Sequence, residues 1–191
     1  MAVKRAFHGE TVGEGLDPPA RQQAVVELLL EDTDRAVTAY HEAGYACAYV
    51  HYGIPFRWVA VHFRLRDDQT GAVRPLRYLA PVLTRGIICL AGPAAESRLA
   101  RQPLARLLQV HCAVDRDMAL DALRRDPTQR PTLAAVVEHT TALVAVEWPD
   151  IETLAAALLA TERLDYSETR PDGGHQDGFP TFFRPKLFQG F

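Results

Sequence analysis

The segment from Asp34 to about Tyr52 limits what this chain can become more than any other stretch. Ala36, Val37, Tyr40, Gly44, Ala48 and Val50 recur at helical spacing, and Gly53 with Pro55 supplies a stop signal. A glycine inside a helix costs about 1 kcal/mol relative to alanine, so Gly44 implies a close packing partner. Within the same helix stand His41 and Glu42, on an otherwise apolar segment. Thr33 is a plausible N-cap for this helix, which separates it from an earlier one over residues 20–31.

After Pro55 the period changes. Phe56-Arg57-Trp58-Val59-Ala60-Val61-His62-Phe63-Arg64-Leu65 is rich in β-branched and aromatic residues. Asp67 to Gly71 supplies a turn, and Ala72 to Leu76 a returning strand, which together read as a β-hairpin. The chain then returns to helix: Ile87 to Ala100, with Pro93 in a first turn or at a kink; Asp115 to Arg125; Thr132 to Val146; and a last helix from Ile151 to Thr161 after a break at Trp148-Pro149-Asp150. The reading is mainly α with a small β-hairpin, an α+β fold. Residues 1–19 form a polar, glycine-rich arm, residues 20–168 the domain, and residues 169–191 a tail rich in proline, glycine and phenylalanine whose aromatics dock on the body or on a partner.

Composition excludes several classes. The 191 residues carry a net charge of −3 with scattered arginines, giving no electrostatic footprint for nucleic acid. No apolar run reaches the roughly 18 residues needed to cross a bilayer, and the first residues lack the apolar core of a signal peptide. The expected location is cytoplasmic. Cys47, Cys89 and Cys112 have long, irregular spacings in apolar surroundings and read as buried thiols, neither a disulfide framework nor a cysteine-based zinc site.

The residues that could carry chemistry begin at His41-Glu42-Ala43-Gly44-Tyr45. In H-E-x-x-H, histidines four residues apart share one helix face and can reach a single zinc, while the glutamate serves as general base toward water. Here the fifth position is Tyr45. The stretch Ala39 to Ala48, followed by Gly53-Ile54-Pro55 and a strand, resembles the metal-binding helix and following strand of the FtsH-type zinc peptidase family. Leu90-Ala91-Gly92-Pro93-Ala94-Ala95-Glu96 is similar to that family's L-A-G-x-A-A-E helix, Val114 to Ala119 to its S-D-x-x-x-A helix start, and Trp148 to Ala155 to the closing helix of stand-alone members.

The resemblance implies a zincin-like helical peptidase fold without an ATPase module, with zinc held by His41, Asp115 and, in place of the second histidine, Tyr45. It implies Glu42 as the catalytic base. A phenol must lose a proton of pKa near 10 to ligate as a neutral imidazole does, so Tyr45 weakens such a site. Read from the residues alone, His41 is also an ordinary core histidine, Asp115 an N-cap with Asp117 beside it, and Glu42 a carboxylate in need of a partner such as Arg85 or Arg98. Tyr52 shares the His41 face on a helical wheel, and His111 could approach from four residues before Asp115. His51, His62 and His139 read as surface or hydrogen-bonded core histidines.

Two functions follow from the resemblance: a zinc-dependent peptidase with an altered metal site, or an inactive relative whose groove beside the 56–65 strand holds an extended peptide or protein segment by strand addition. Homo-oligomerisation is left open.

Overall fold

The computed structural model describes residues 18–61, 71–75, 80–125 and 131–165, with side chains from residue 33 onward. The elements are α1 (Pro18–His51), β1 (Phe56–Val61), β2 (Gly71–Pro75), α2 (Val82–Ala100), α3 (Leu104–Val110), α4 (Ala113–Arg124), α5 (Leu133–Thr161) and β3 (Arg163–Asp165). The fold is mainly helical with a small three-stranded antiparallel sheet, as expected. Contacts divide the chain into two compact units, Met1–Asp34 and Arg35–Phe191. In the first, the helical residues begin at Pro18. No helix among the described residues is long and apolar enough to cross a membrane.

Thr33 lies inside α1 and starts no second helix. Its neighbours Asp32 and Asp34 are only mild helix disfavourers, a few tenths of a kcal/mol each, too little to end a helix by themselves. Pro149 likewise lies inside α5 and does not divide it. A proline removes the hydrogen bond to the carbonyl four residues back. That carbonyl belongs to Ala145, and Ala145 and Pro149 are both exposed, so water can take up the freed oxygen. The 163–165 strand and the short α3 carry no periodicity long enough to read in advance.

The strand order is β2-β1-β3. Val59 pairs with Val73 and Val61 with Gly71 on one side, while Val59 pairs with Leu164 and Trp58 with Asp165 on the other. β1 is therefore central, and the expected groove beside its free edge does not exist over Trp58–Ala60. The chain reaches β3 through Glu162, which sits in the left-handed region at φ 62°, and the Glu162 carbonyl accepts from Val61 N–H. The turn expected at 67–71, His62, and the aromatic tail lie outside the described residues, apart from Gly71 at the head of β2.

The helical layer centres on α2, which packs against α5, α4 and α3. Its middle is built from Leu90, Ala91, Gly92, Pro93, Ala94 and Ala95, all buried. Small side chains permit close approach, and α1 uses it. A Cβ placed on Gly44 would stand 2.5 Å from the Ala91 carbonyl oxygen and 2.8 Å from the Ala95 Cβ. On the other side of the contact, a Cβ on Gly92 would stand 2.6 Å from His41 Cδ2 and 2.9 Å from Tyr45 Cε2. Further along, Tyr40 of α1 stacks on Trp148 of α5 with centroids 5.4 Å apart, and the Arg98 guanidinium of α2 lies 4.7 Å over the same indole.

The Gly44 contact makes a direct prediction. Gly44→Ala gains about 1 kcal/mol of helix propensity, but overpacking against a backbone carbonyl costs about 1–3 kcal/mol and more where nothing can yield. We expect net destabilisation of about 1–3 kcal/mol in chemical denaturation; a stabilised variant would show that the helices are not this close.

Candidate metal and acid–base site

Three elements converge on the His41 ring. Its Nδ1 lies 3.1 Å from Glu96 Oε2 on α2, and its Nε2 lies 3.9 Å from Asp115 Oδ2 on α4. The Tyr45 ring meets it edge-on, with centroids 5.0 Å apart, as residues four apart on a helix face should. Thus the structure brings together His41, Glu42, Tyr45 and Asp115, the four residues singled out in the sequence. They line one cavity of about 630 Å³ with Glu96, Cys112, β2 residues Gly71 to Val73, and the exposed Val114 and Met118.

Tyr45 is held as a hydrogen-bond donor. Its hydroxyl gives a short hydrogen bond to Asp115 Oδ1 and stands 3.5 Å from the carbonyl oxygen of Cys89. That carbonyl is the one Pro93 frees, four residues on, by lacking an N–H. Burial, then the Asp115 charge and hydrogen bond, push the Tyr45 pKa well above its ordinary value, so the phenol keeps its proton.

Asp115 is the third residue of α4 and not its N-cap, a place taken by Cys112 without a side-chain cap bond. An acidic residue in the first turn is favoured by the helix dipole, and here its carboxylate also faces Tyr45 and His41. Asp117 pairs with Arg116 at 2.8 Å on the surface. Cys112 sits at the corner between α3 and α4, its N–H bonded to the Leu107 carbonyl, and this aims Sγ at Glu96 Oε2, 3.5 Å away.

Glu42 is 6% exposed, and its Oε2 has no hydrogen-bond partner among the described residues. Neither arginine considered for it serves: Arg98 is over Trp148, and no ion pair joins Arg85 to Glu42. A Cβ on Gly71 would come within 2.5 Å of Glu42 Cγ, so the start of β2 covers the side chain. Burial raises the Glu42 pKa to about 7; the nearby His41 charge lowers it and Asp115 raises it. For His41, burial opposes the imidazolium, but the Glu96 hydrogen bond and the charges of Glu42, Asp115 and Glu96 outweigh it, and its pKa is raised. Burial pushes the Glu96 carboxyl up, yet its bond and charge interaction with His41 prevail and leave it lowered.

Two of the other described histidines lie away from the site. His51 Nδ1 pairs at 3.0 Å with the buried Glu147, Tyr52 lies beside His51, and His139 is exposed. His111 is exposed but lines the cavity. Sequence reasoning gave no chemical role to Glu96 or Cys112. Both stand where a signal existed: Glu96 ends a buried run of small residues, and Cys112 precedes Asp115 by three positions at a helix start.

The donor set suits a divalent cation. Imidazole, carboxylate and thiol are the groups that bind zinc, with bonds of about 2.0–2.3 Å. His41 Nε2 and Asp115 Oδ2 are 3.9 Å apart, so they must close by about half an ångström to share a tetrahedral ion, and the missing side chain of Gly92 leaves the ring room. No protein-family model matches the chain, and no curated protein matches it.

The electrostatics fix a pH dependence. Glu42 has a folded pKa near 7 against 4.5 for the free group, so the folded state holds the proton more tightly. Its contribution to stability is therefore full below about pH 4.5 and is lost as pH rises through 7. His41, also raised, loses its contribution in the same direction, above the ordinary imidazole range. Glu96, lowered, contributes above the ordinary carboxyl range and loses that as pH falls. We expect Glu42→Gln to be about 1–3 kcal/mol more stable than wild type at pH 8 and to flatten the stability profile between pH 4.5 and 7. Urea denaturation at several pH values measures both, and a Gln variant weakened at pH 8 would contradict the assignment.

Proposed function

We propose that this chain is a metallopeptidase-like hydrolase of the FtsH type, cleaving peptide bonds with Glu42 as its base. The observation that carries the reading is Glu42 itself, a buried carboxylate with one unpaired oxygen in a cavity wall beside His41 and Asp115. Its pKa near 7 suits a group that must both accept and return a proton at neutral pH. Zinc, held by His41 and Asp115 with Tyr45 adjacent, would polarise the scissile carbonyl and acidify a water molecule.

The chain's own residues divide the remaining work. Glu96 bonds to His41 Nδ1, fixing the ring so that Nε2 faces Asp115. Glu42 takes a proton from the attacking water at its unpaired oxygen and passes it to the departing amine. β2 presents backbone to the cavity, and an extended peptide added along it sets its side chains against Val114 and Met118. Three free thiols without a disulfide fit a reducing compartment such as the cytoplasm.

A second reading has a specific observation behind it. The Tyr45 hydroxyl occupies Asp115, and with that carboxylate committed the same cavity serves a peptide-binding module without hydrolysis.

The test is hydrolysis of an unfolded polypeptide. Under the first reading a chelator abolishes cleavage and Glu42→Gln lowers it at least a hundredfold while folding normally, and the acid limb of kcat/KM falls near pH 7. Cleavage that survives Glu42→Gln at full rate would sink that reading; peptide binding with no cleavage by any form selects the second. Tyr45→His, which replaces the phenol by an imidazole four residues from His41, is expected to tighten zinc binding at least tenfold by equilibrium titration.

A further inference from the structure

The second ring nitrogen of His41, Nδ1, meets another set of donors. His41, Glu96 and Cys112 each bring one ligand atom within 4.8 Å of the others. Nitrogen and oxygen are 3.1 Å apart, and sulfur and oxygen 3.5 Å apart. In a tetrahedral zinc site with bonds of 2.0–2.3 Å, an imidazole nitrogen and a carboxylate oxygen stand roughly 3.3 Å apart, and a thiolate and a carboxylate oxygen roughly 3.6 Å apart. The two pairs that share Glu96 Oε2 are therefore already spaced as ligands. The three residues come from three elements, α1, α2 and the start of α4, and the corner that aims Cys112 is set by its bond to Leu107. His41, Glu96 and Cys112 all border the cavity, which gives an ion its way in.

We propose that His41 Nδ1, Glu96 and Cys112 form a thiolate-containing site for a soft divalent metal such as zinc or cadmium, distinct from the His41–Asp115 pair on the other ring nitrogen. A sulfur donor selects thiophilic ions over magnesium or calcium. Binding replaces the two hydrogen bonds that converge on Glu96 Oε2: the thiol proton leaves to solvent as the metal–sulfur bond forms, and a proton on Nδ1 leaves as the metal–nitrogen bond forms. No oxidation state changes.

A neutral imidazole offers one lone pair. A metal on Nδ1 therefore leaves the ring proton on Nε2, which can face Asp115 as a donor but cannot join it in holding an ion, and the two sites exclude each other. The inference does not rest on the hydrolase reading, because it needs no reaction and no ligand from Asp115.

Cobalt(II) is the probe, since a thiolate bound to it gives a near-ultraviolet charge-transfer band that oxygen and nitrogen ligands do not. The full chain, titrated with cobalt chloride under reducing conditions, is expected to show this band with one equivalent bound. Cys112→Ser should remove the band. Cys89→Ser, a change at the other cavity-lining thiol, should leave it intact, as should Asp115→Asn. Glu96→Gln should weaken cobalt binding at least tenfold, and it keeps the proposal testable should Cys112→Ser fail to fold. A wild-type protein that binds cobalt without the band, or a band that persists in folded Cys112→Ser, overturns the inference. Cobalt bound without the band and lost in Asp115→Asn would remove this site and leave the hydrolase reading standing; the band without cleavage of any polypeptide would do the reverse.

Discussion

Everything at the site depends on how closely α1 approaches α2. Gly44 lets the Ala91 backbone and the Ala95 methyl come to within van der Waals contact of α1, and Gly92 returns the arrangement by making room for the His41 and Tyr45 rings. Had either helix carried ordinary side chains there, the axes would stand farther apart, and His41 could not reach Glu96. The same run of α2 contains Pro93, which leaves the Cys89 carbonyl without its helical partner at the point where the Tyr45 hydroxyl arrives. A loss of helix hydrogen bonding and a gain of side-chain positioning occur at one place. The single Tyr45 proton goes to Asp115, and its hydroxyl passes the freed Cys89 carbonyl at 3.5 Å.

His41 is the electrical centre of this arrangement. It faces the carboxyl groups of Glu42, Glu96 and Asp115, and its raised pKa expresses that surplus of negative charge. Such a cluster in a protein interior is costly unless a cation completes it. A proton on His41 is the simplest cation, and a metal ion is the stronger alternative. The buried, unbonded oxygen of Glu42 shows that the proton alone does not satisfy every group.

How much of this could be read from the chain differs from residue to residue. Helical spacing marked α1 from Asp34 onward, the lone glycine marked a close contact on it, and the period change at Phe56 marked β1, because these signals are local. His41, Glu42, Tyr45 and Asp115 were legible as one candidate site through their order along the chain, and the fold places them together. Other features depend on tertiary context. β3 is too short to show a period, and it exists only because β1 offers it an edge. Pro149 reads as a break, yet α5 continues because its exposed side can leave the Ala145 carbonyl to water. Cys112 looked like any small buried hydrophobe, and only the corner between α3 and α4 turns its sulfur toward Glu96.

Gly71 has a consequence of its own. It opens β2 and pairs with Val61, and its bare Cα rests on the Glu42 side chain with no space for even a methyl group. The wetness of the carboxylate, and with it the acidity that burial sets, depends in part on a strand's main chain. The sheet is thus a thermostat for the helix beneath it: a small rise of β2 would admit water, return Glu42 toward an ordinary acid, and alter proton transfer without moving any group that takes part in it.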